Sequence, residues 1–259
     1  MTVDVQALNE FVLIGSAVTL LAILAVRLSS RAGLPSLLIY LLMGVALGEA
    51  GLGIPFEDAE LTQALGFAAL AVILAEGGLT TNWRQMRSSI RLGASLATLG
   101  IVVSVTLVAV AGHYLLGLPW QLAVLLGAVC SPTDAAAVFS VLRVVPLPKR
   151  LTGALEAESG LNDAPTVVLV VLVSTGAVSD HHPGVVVAMV VGQLLGGVAV
   201  GLAAGFGGAW LMRRAALPTA GLYPLAVLSL TFLSYGAAAA AQASGFAAGY
   251  VAALVLGNS

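Results

Sequence analysis

Two apolar segments of this chain carry side chains that could hold a cation or a proton. The first reads Gly127-Ala128-Val129-Cys130-Ser131-Pro132-Thr133-Asp134-Ala135, and the second runs from Glu156 through Glu158-Ser159-Gly160-Leu161-Asn162-Asp163-Ala164 to Pro165. An ionisable group inside a membrane span is costly, which makes it a functional-site hypothesis from the outset. On a helix of about 3.6 residues per turn, Ser159, Asn162, Asp163 and Thr166 fall on one face. That face offers hydroxyl, amide and carboxylate oxygens, the donors that hard cations prefer. A carboxylate in a low dielectric favours its protonated form, and a cation beside it favours the ionised form. One aspartate can then hold either, and binding one expels the other. Asp163 is the residue chosen for that role.

The two prolines shape the surrounding backbone. Pro132 has no amide hydrogen and clashes with the preceding turn, so the fifth apolar run should break near Ser131–Thr133. Broken helices at membrane depth occur where they line a cavity. The break frees carbonyls between Val129 and Thr133 and leaves a half-helix N-terminus near Asp134, whose charge the helix dipole favours. Pro165 withdraws a hydrogen bond from the Leu161 carbonyl. The competing explanation is structural, since polar groups pair between membrane helices for about 0.6 kcal/mol each. A single Ser or Asn suits that explanation. Two prolines, two aspartates and a Ser/Asn/Asp face together suit an ion site. Glu76, alone in its run, reads either as part of the site or as an acid snorkelling to the interface. Glu156 reads as solvated near a helix end and Cys130 as packing, while His113, His181 and His182 read as interfacial.

The rest of the chain must hold these segments across a bilayer. Of 259 residues, 59% are hydrophobic and only 8% charged, against roughly 25% charged in soluble domains. Mean hydropathy is +1.06. The apolar runs are continuous rather than alternating, which excludes a transmembrane β-barrel and gives an all-α polytopic membrane protein. The runs are Phe11–Val26, Leu37–Leu47, Leu61–Leu79, Leu92–Leu116, Trp120–Leu142, Leu151–Val178, Val185–Met212, Leu222–Ala241 and Phe246–Leu256, about nine transmembrane helices. The seventh is too long for an upright helix and reads as one tilted span. The ten Lys and Arg residues cluster after the first, third, fifth and seventh runs, while Glu49, Glu57, Asp58, Glu60 and Asp180 occupy the other loops. The positive-inside rule then places the N-terminus outside and the C-terminus in the cytoplasm. A net charge of −2 gives no reason to expect nucleic acid, and one cysteine allows no intrachain disulfide. No cleavable signal peptide is visible in the acidic Met1–Glu10 segment.

A faint gapless repeat aligns Val12–Glu49 with Gly221–Asn258. The alignment predicts a single transmembrane domain: a first six-helix repeat over 11–178, a linking helix over 185–212 and the start of a second, inverted copy over 222–257. The second repeat is incomplete, so the sequence is expected to be part of a longer protein.

The string Ser131-Pro132-Thr133-Asp134-Ala135-Ala136-Ala137-Val138-Phe139-Ser140, followed by Glu158-Ser159-Gly160-Leu161-Asn162-Asp163-Ala164-Pro165, resembles the monovalent cation:proton antiporters. The NhaP-type and animal sodium/proton exchanger branch is the nearer one, and within it the bacterial potassium/proton antiporters. Ala75-Glu76-Gly77-Gly78-Leu79 resembles the family's third-helix signature. The resemblance implies that Thr133 and Asp134 lie on an unwound helix, that Ser159 and Asp163 are direct ligands of a monovalent metal cation, and that Glu76 acts through water. It implies that Asn162 makes the exchange electroneutral and that Glu158 pairs with an arginine beyond Ser259. It further implies an inverted-repeat fold of about thirteen helices, a homodimer in the cell membrane, no cofactor beyond the transported K⁺ or Na⁺ and H⁺, and room for a C-terminal regulatory domain outside this sequence. The expected function is secondary exchange of K⁺ or Na⁺ for H⁺ rather than an enzymatic one. An intramembrane aspartyl protease built on Asp134 and Asp163 would need Tyr-Asp and Gly-x-Gly-Asp motifs, which are absent. A cation channel would need repeated filter loops, and none is visible.

Overall fold

The structure is a computed structural model describing residues 5–32, 36–53, 57–134, 148–215 and 218–259, and these residues contain helices and no strands. The chain divides into two compact units, one of Met1–Thr62 with Ala136–Pro146 and one of Gln63–Ala135 with Leu147–Ser259. Helix occurs within each of the nine apolar runs, in the fifth only from Trp120 to Cys130 among the described residues. Four stretches, Ala59–Thr80, Ile90–Leu116, Gly184–Ala215 and Leu222–Ala240, are long and apolar enough to cross a membrane. The second half of the fifth run, from Ala135 to Leu142, lies outside the described residues.

In the first unit, α1 (Val5–Ala32) packs on α2 (Ser36–Leu47). Asp58 opens α3 (Ala59–Thr80) as a cap: its Oδ1 accepts from the Leu61 amide at 2.9 Å, satisfying one of the donors that a helix start leaves orphaned.

The second unit holds the remaining helices. These are α4 (Trp83–Met86), α5 (Ile90–Leu116), α6 (Trp120–Cys130), α7 (Lys149–Ser174), α8 (Ala177–Asp180), α9 (Pro183–Ala215), α10 (Leu222–Ala240) and α11 (Gly245–Gly257). The seventh run is one 33-residue helix, as its length required. At about 1.5 Å per residue it is roughly 50 Å long, longer than an upright crossing needs. Within α5 the residues Leu96–Gly100 form a π-helical segment. Gly117 closes α5 with φ +68°, a left-handed backbone that favours glycine, and α6 returns antiparallel from Trp120. At this corner the His113 and Trp120 rings stack at 4.1 Å with Tyr114 edge-on, an aromatic cluster suited to a membrane interface.

Large side chains such as Leu107, Leu195, Phe206 and Leu233 point outward, while Ala75, Ala123, Ala128, Ala157, Ala248 and Ala252 are buried between helices. This suits lipid, where apolar side chains gain nothing by hiding and backbones approach through small residues. Gly197, Gly201 and Gly205 of α9 lie one turn apart and face Ser244, which caps α11, and Ala248 and Ala252 within it. Gly127 of α6 meets Val105 of α5, and Gly93 of α5 meets Ala157 of α7.

α11 is the most enclosed helix. It is buried from Gly245 to Tyr250 and again at Ala252, Ala253 and Leu256. Its far end is tied down by Asn258, whose Oδ1 accepts from the Trp83 amide at 3.0 Å and whose Nδ2 donates to the Thr81 and Leu254 carbonyls at 2.9 Å. Asn258→Ala removes all three bonds, two of them to the turn joining α3 to α4 and one within α11. The side chain is exposed, so water replaces part of the loss, and the expected cost is about 1–2 kcal/mol in thermal unfolding followed by tryptophan fluorescence.

Candidate functional site

α6 ends at Cys130, and Ser131 to Asp134 carry no helix. Pro132, which cannot donate to the preceding turn, stands at this end. α7 passes beside it as a continuous helix with Pro165 inside. Gln121 at the start of α6 donates to the Val173 carbonyl near the end of α7 at 2.9 Å. The Ser89 hydroxyl, just before α5, donates to the Arg150 carbonyl at the start of α7 at 3.1 Å. These bonds pin both ends of the helix that bears the acids.

Between the non-helical segment and α7 lies a hydrogen-bond network. The Thr133 hydroxyl is 2.7 Å from both Glu158 carboxylate oxygens and donates to that carboxylate. Asn162 Nδ2 donates to Thr133 Oγ1 and to Glu158 Oε1, each at 3.0 Å, and approaches the Thr133 carbonyl at 3.3 Å. Thr166 donates to the Asn162 carbonyl at 2.7 Å. Asn162 is 1% exposed, and its own Oδ1 has no hydrogen-bond partner among the described residues; neither has the buried Ser131 hydroxyl. Each is a buried oxygen left without a partner among the described residues, a costly arrangement.

Asp163, half-buried, is aimed the other way. It lines a cavity of about 260 Å³ together with Pro132, Val129 and Thr166, Gln63 and Phe67 of α3, and Ser174 at the end of α7. Asp134 and Glu158 lie close enough for their charges to act on Asp163. Three acids, the Pro132 break and the Asn162–Thr133 pair are therefore gathered at one place. Ser159 is half-buried one turn before Asp163 on the same helix, and Asp134 is exposed; each has a further interaction within the fold. Glu76 sits on an exposed part of α3 and is not among the residues lining the cavity. The residues following Asp134, where the half-helix N-terminus was expected, lie outside the described residues.

Sequence reasoning missed three contributors. The contribution of α3 at Gln63 and Phe67 left no polar signature beyond one glutamine. The Thr133 and Asn162 bonds to Glu158 join residues 25 and 4 positions apart, and only the shorter spacing is legible in a helix. Tyr250, which lies against Gly160, gave no sign in the sequence of which helix it packs on. The network itself yields a prediction. Thr133→Val deprives the Glu158 carboxylate of a donor and Asn162 of an acceptor, and is expected to cost about 1–3 kcal/mol. Thr133→Ser, which keeps the hydroxyl, should recover most of it in the same thermal unfolding assay.

The chain matches the family model described as "Sodium/hydrogen exchanger, transmembrane" over residues 16–259. It is 35% identical to the K(+)/H(+) antiporter NhaP of Alkalimonas amylolytica and 34% identical to the K(+)/H(+) antiporter NhaP2 of Shewanella sp. (strain ANA-3); each alignment covers 98% of this chain and 45% of the relative. The Na(+)/H(+) antiporter NhaS2 of Synechocystis sp. is 31% identical over 138 residues, 53% of this chain and 26% of that protein. The chain thus spans about half the length of the curated relatives it matches across its whole extent. With the family model covering all but its first residues, and with the Pro132 break facing Asp163 inside it, this chain belongs to the sodium/hydrogen exchanger family.

Proposed function

We propose that the protein containing this chain exchanges a monovalent cation, K⁺ or Na⁺, for a proton across the cell membrane, and that cation and proton compete for Asp163. The observation that carries this reading is the cavity that reaches Asp163 beside the Pro132 break. A carboxylate there is open to ions through the cavity and lies beside the Thr133–Asn162–Glu158 network. Asp134, Ser159 and Thr133 complete the oxygen set, Glu76 contributes through water, and Asn162 and Glu158 hold the non-helical segment in place. With Asn rather than a second Asp beside Asp163, one proton leaves for each cation that enters, and the exchange is electroneutral.

The accompanying architecture is nine spans in this chain, with the N-terminus outside and the C-terminus cytoplasmic, arranged as a first repeat and the start of an inverted second one in a homodimer. Both copies of the faint repeat are a longer helix followed by a shorter one, α1–α2 and α10–α11. The relatives' names support the choice of cations. The test uses the full-length protein in proteoliposomes carrying a pH gradient. Adding K⁺ or Na⁺ should collapse the gradient at the same rate whether or not the membrane potential is clamped at zero. A gradient untouched by either cation would refute exchange, and a rate that follows the potential would refute electroneutrality.

A further inference from the structure

The cavity at Asp163 is lined by one end of the helices. Its lining runs along α7 from Asp163 to Ser174 and includes Gln63 near the start of α3. Both are the ends opposite the arginine-bearing segments, since Lys149 and Arg150 begin α7 and Arg84 and Arg87 follow α3. On the arginine-bearing side the same face of α7 continues through Gly160 to Glu156, at helical spacings of three and four residues. That face is covered. Tyr250, 5% exposed, rests on Gly160 so closely that a Cβ built there would meet its hydroxyl oxygen and lie 2.7 Å from its Cζ. The same hydroxyl meets the sulfur of Met86, itself buried, at 3.9 Å, and interacts with the Thr81 side chain. Glu156 and Asp163 both lie within electrostatic reach of that hydroxyl.

We propose that Tyr250 seated on Gly160 is the gate that closes the arginine-bearing, cytoplasmic side of the Asp163 site. The inference rests on the antiport reading, because a gate matters only if Asp163 serves each side in turn. The seat depends on residue 160 having no side chain. Among the described residues, Tyr250 over Gly160 covers the arginine-bearing side of Asp163, and its hydroxyl is held against Met86 and Thr81. For Asp163 to reach the cytoplasm, the ring has to leave Gly160, by movement of α11 against α7 or by rotation of the side chain. Tyr250 is a positioning residue in this account: it sets which side the site faces and does not bind the ion.

The test is the apparent KM for K⁺ or Na⁺, measured from each face of the membrane with the full-length protein in right-side-out and inside-out vesicles. Tyr250→Ala should lower the KM on the cytoplasmic face and raise it on the outer face, each by on the order of threefold, because it destabilises the shut state. Tyr250→Phe keeps the ring and should leave the ratio of the two values where the wild type has it. Gly160→Ala should unseat the ring and shift the ratio as Tyr250→Ala does, and the double variant should shift it no further. Gly160→Ala adds a single methyl and carries the same test if the tyrosine variants lower the yield of folded protein. An active protein whose ratio is unmoved by Tyr250→Ala and Gly160→Ala overturns the gate and leaves the antiport reading intact. A wild-type protein that moves no protons in response to either cation overturns both. A shift with Tyr250→Phe as large as with Tyr250→Ala overturns the ring as the closing element.

Discussion

Asp163→Asn is expected to abolish cation-dependent proton movement in proteoliposomes of the full-length protein, lowering the rate at least about 100-fold, or about 2.7 kcal/mol at 1.36 kcal/mol per decade. The substitution keeps the size of the side chain and its place on the cavity wall. It removes the two properties the proposed function needs, a proton that can leave and a negative charge that a cation can neutralise. Asp163 is only half-buried, and no described hydrogen bond that stabilises α7 depends on it, so the variant should fold and unfold thermally as the wild type does. Normal stability with lost transport separates a transport residue from a packing contact. A variant that transports at the wild-type rate would remove Asp163 from the mechanism and leave the Thr133–Asn162–Glu158 network as a helix-packing device.

Gly201→Ala is expected to damage the scaffold at the seam between α9 and α11. A Cβ at Gly201 would lie 2.6 Å from the Ala248 carbonyl oxygen and 2.8 Å from Val251 Cβ. The first of these is backbone, with no flexible side chain to give way, so α9 and α11 must separate. Overpacking of this kind costs about 1–3 kcal/mol, and the upper end fits a backbone obstacle. Gly207→Ala on the same helix provides the contrast. Nothing lies within 4 Å of a Cβ there, and replacing a mid-helix glycine by alanine is favoured by about 1 kcal/mol. The two variants should therefore move the thermal midpoint in opposite directions. If Gly201→Ala is neutral, the seam between α9 and α11 is looser than described, and the enclosure of α11 that positions Tyr250 loses its support.

Much of the site was legible because membrane helices expose their exceptions. Acids and prolines stand out in apolar runs, and the end of α6 at Cys130 follows from Pro132 alone. Ser159, Asn162, Asp163 and Thr166 were readable as one face because helical spacing is local. The structure divides that face by partner: Asn162 turns to Thr133 and Glu158, while Asp163 turns to the cavity. Spacing could not reveal this division, since neighbours of a helix come from distant parts of the chain. The resemblance assigned Glu158 an arginine partner beyond Ser259, and within the described residues its carboxylate accepts from Thr133 and Asn162. Tyr250 and Gly160 were opaque for a different reason. In a run of Gly and Ala a tyrosine signals packing, and only the contact itself shows which helix it packs on.

The claim on which all of this depends is that Asp163 cannot carry its proton and an alkali cation at once. Calorimetric titration of K⁺ or Na⁺ into the detergent-solubilised full-length protein, repeated in buffers of different ionisation enthalpy, counts the protons released per cation bound. The account predicts about one proton released by the wild type and none by Asp163→Asn. Cation binding to the wild type with no proton release would contradict it.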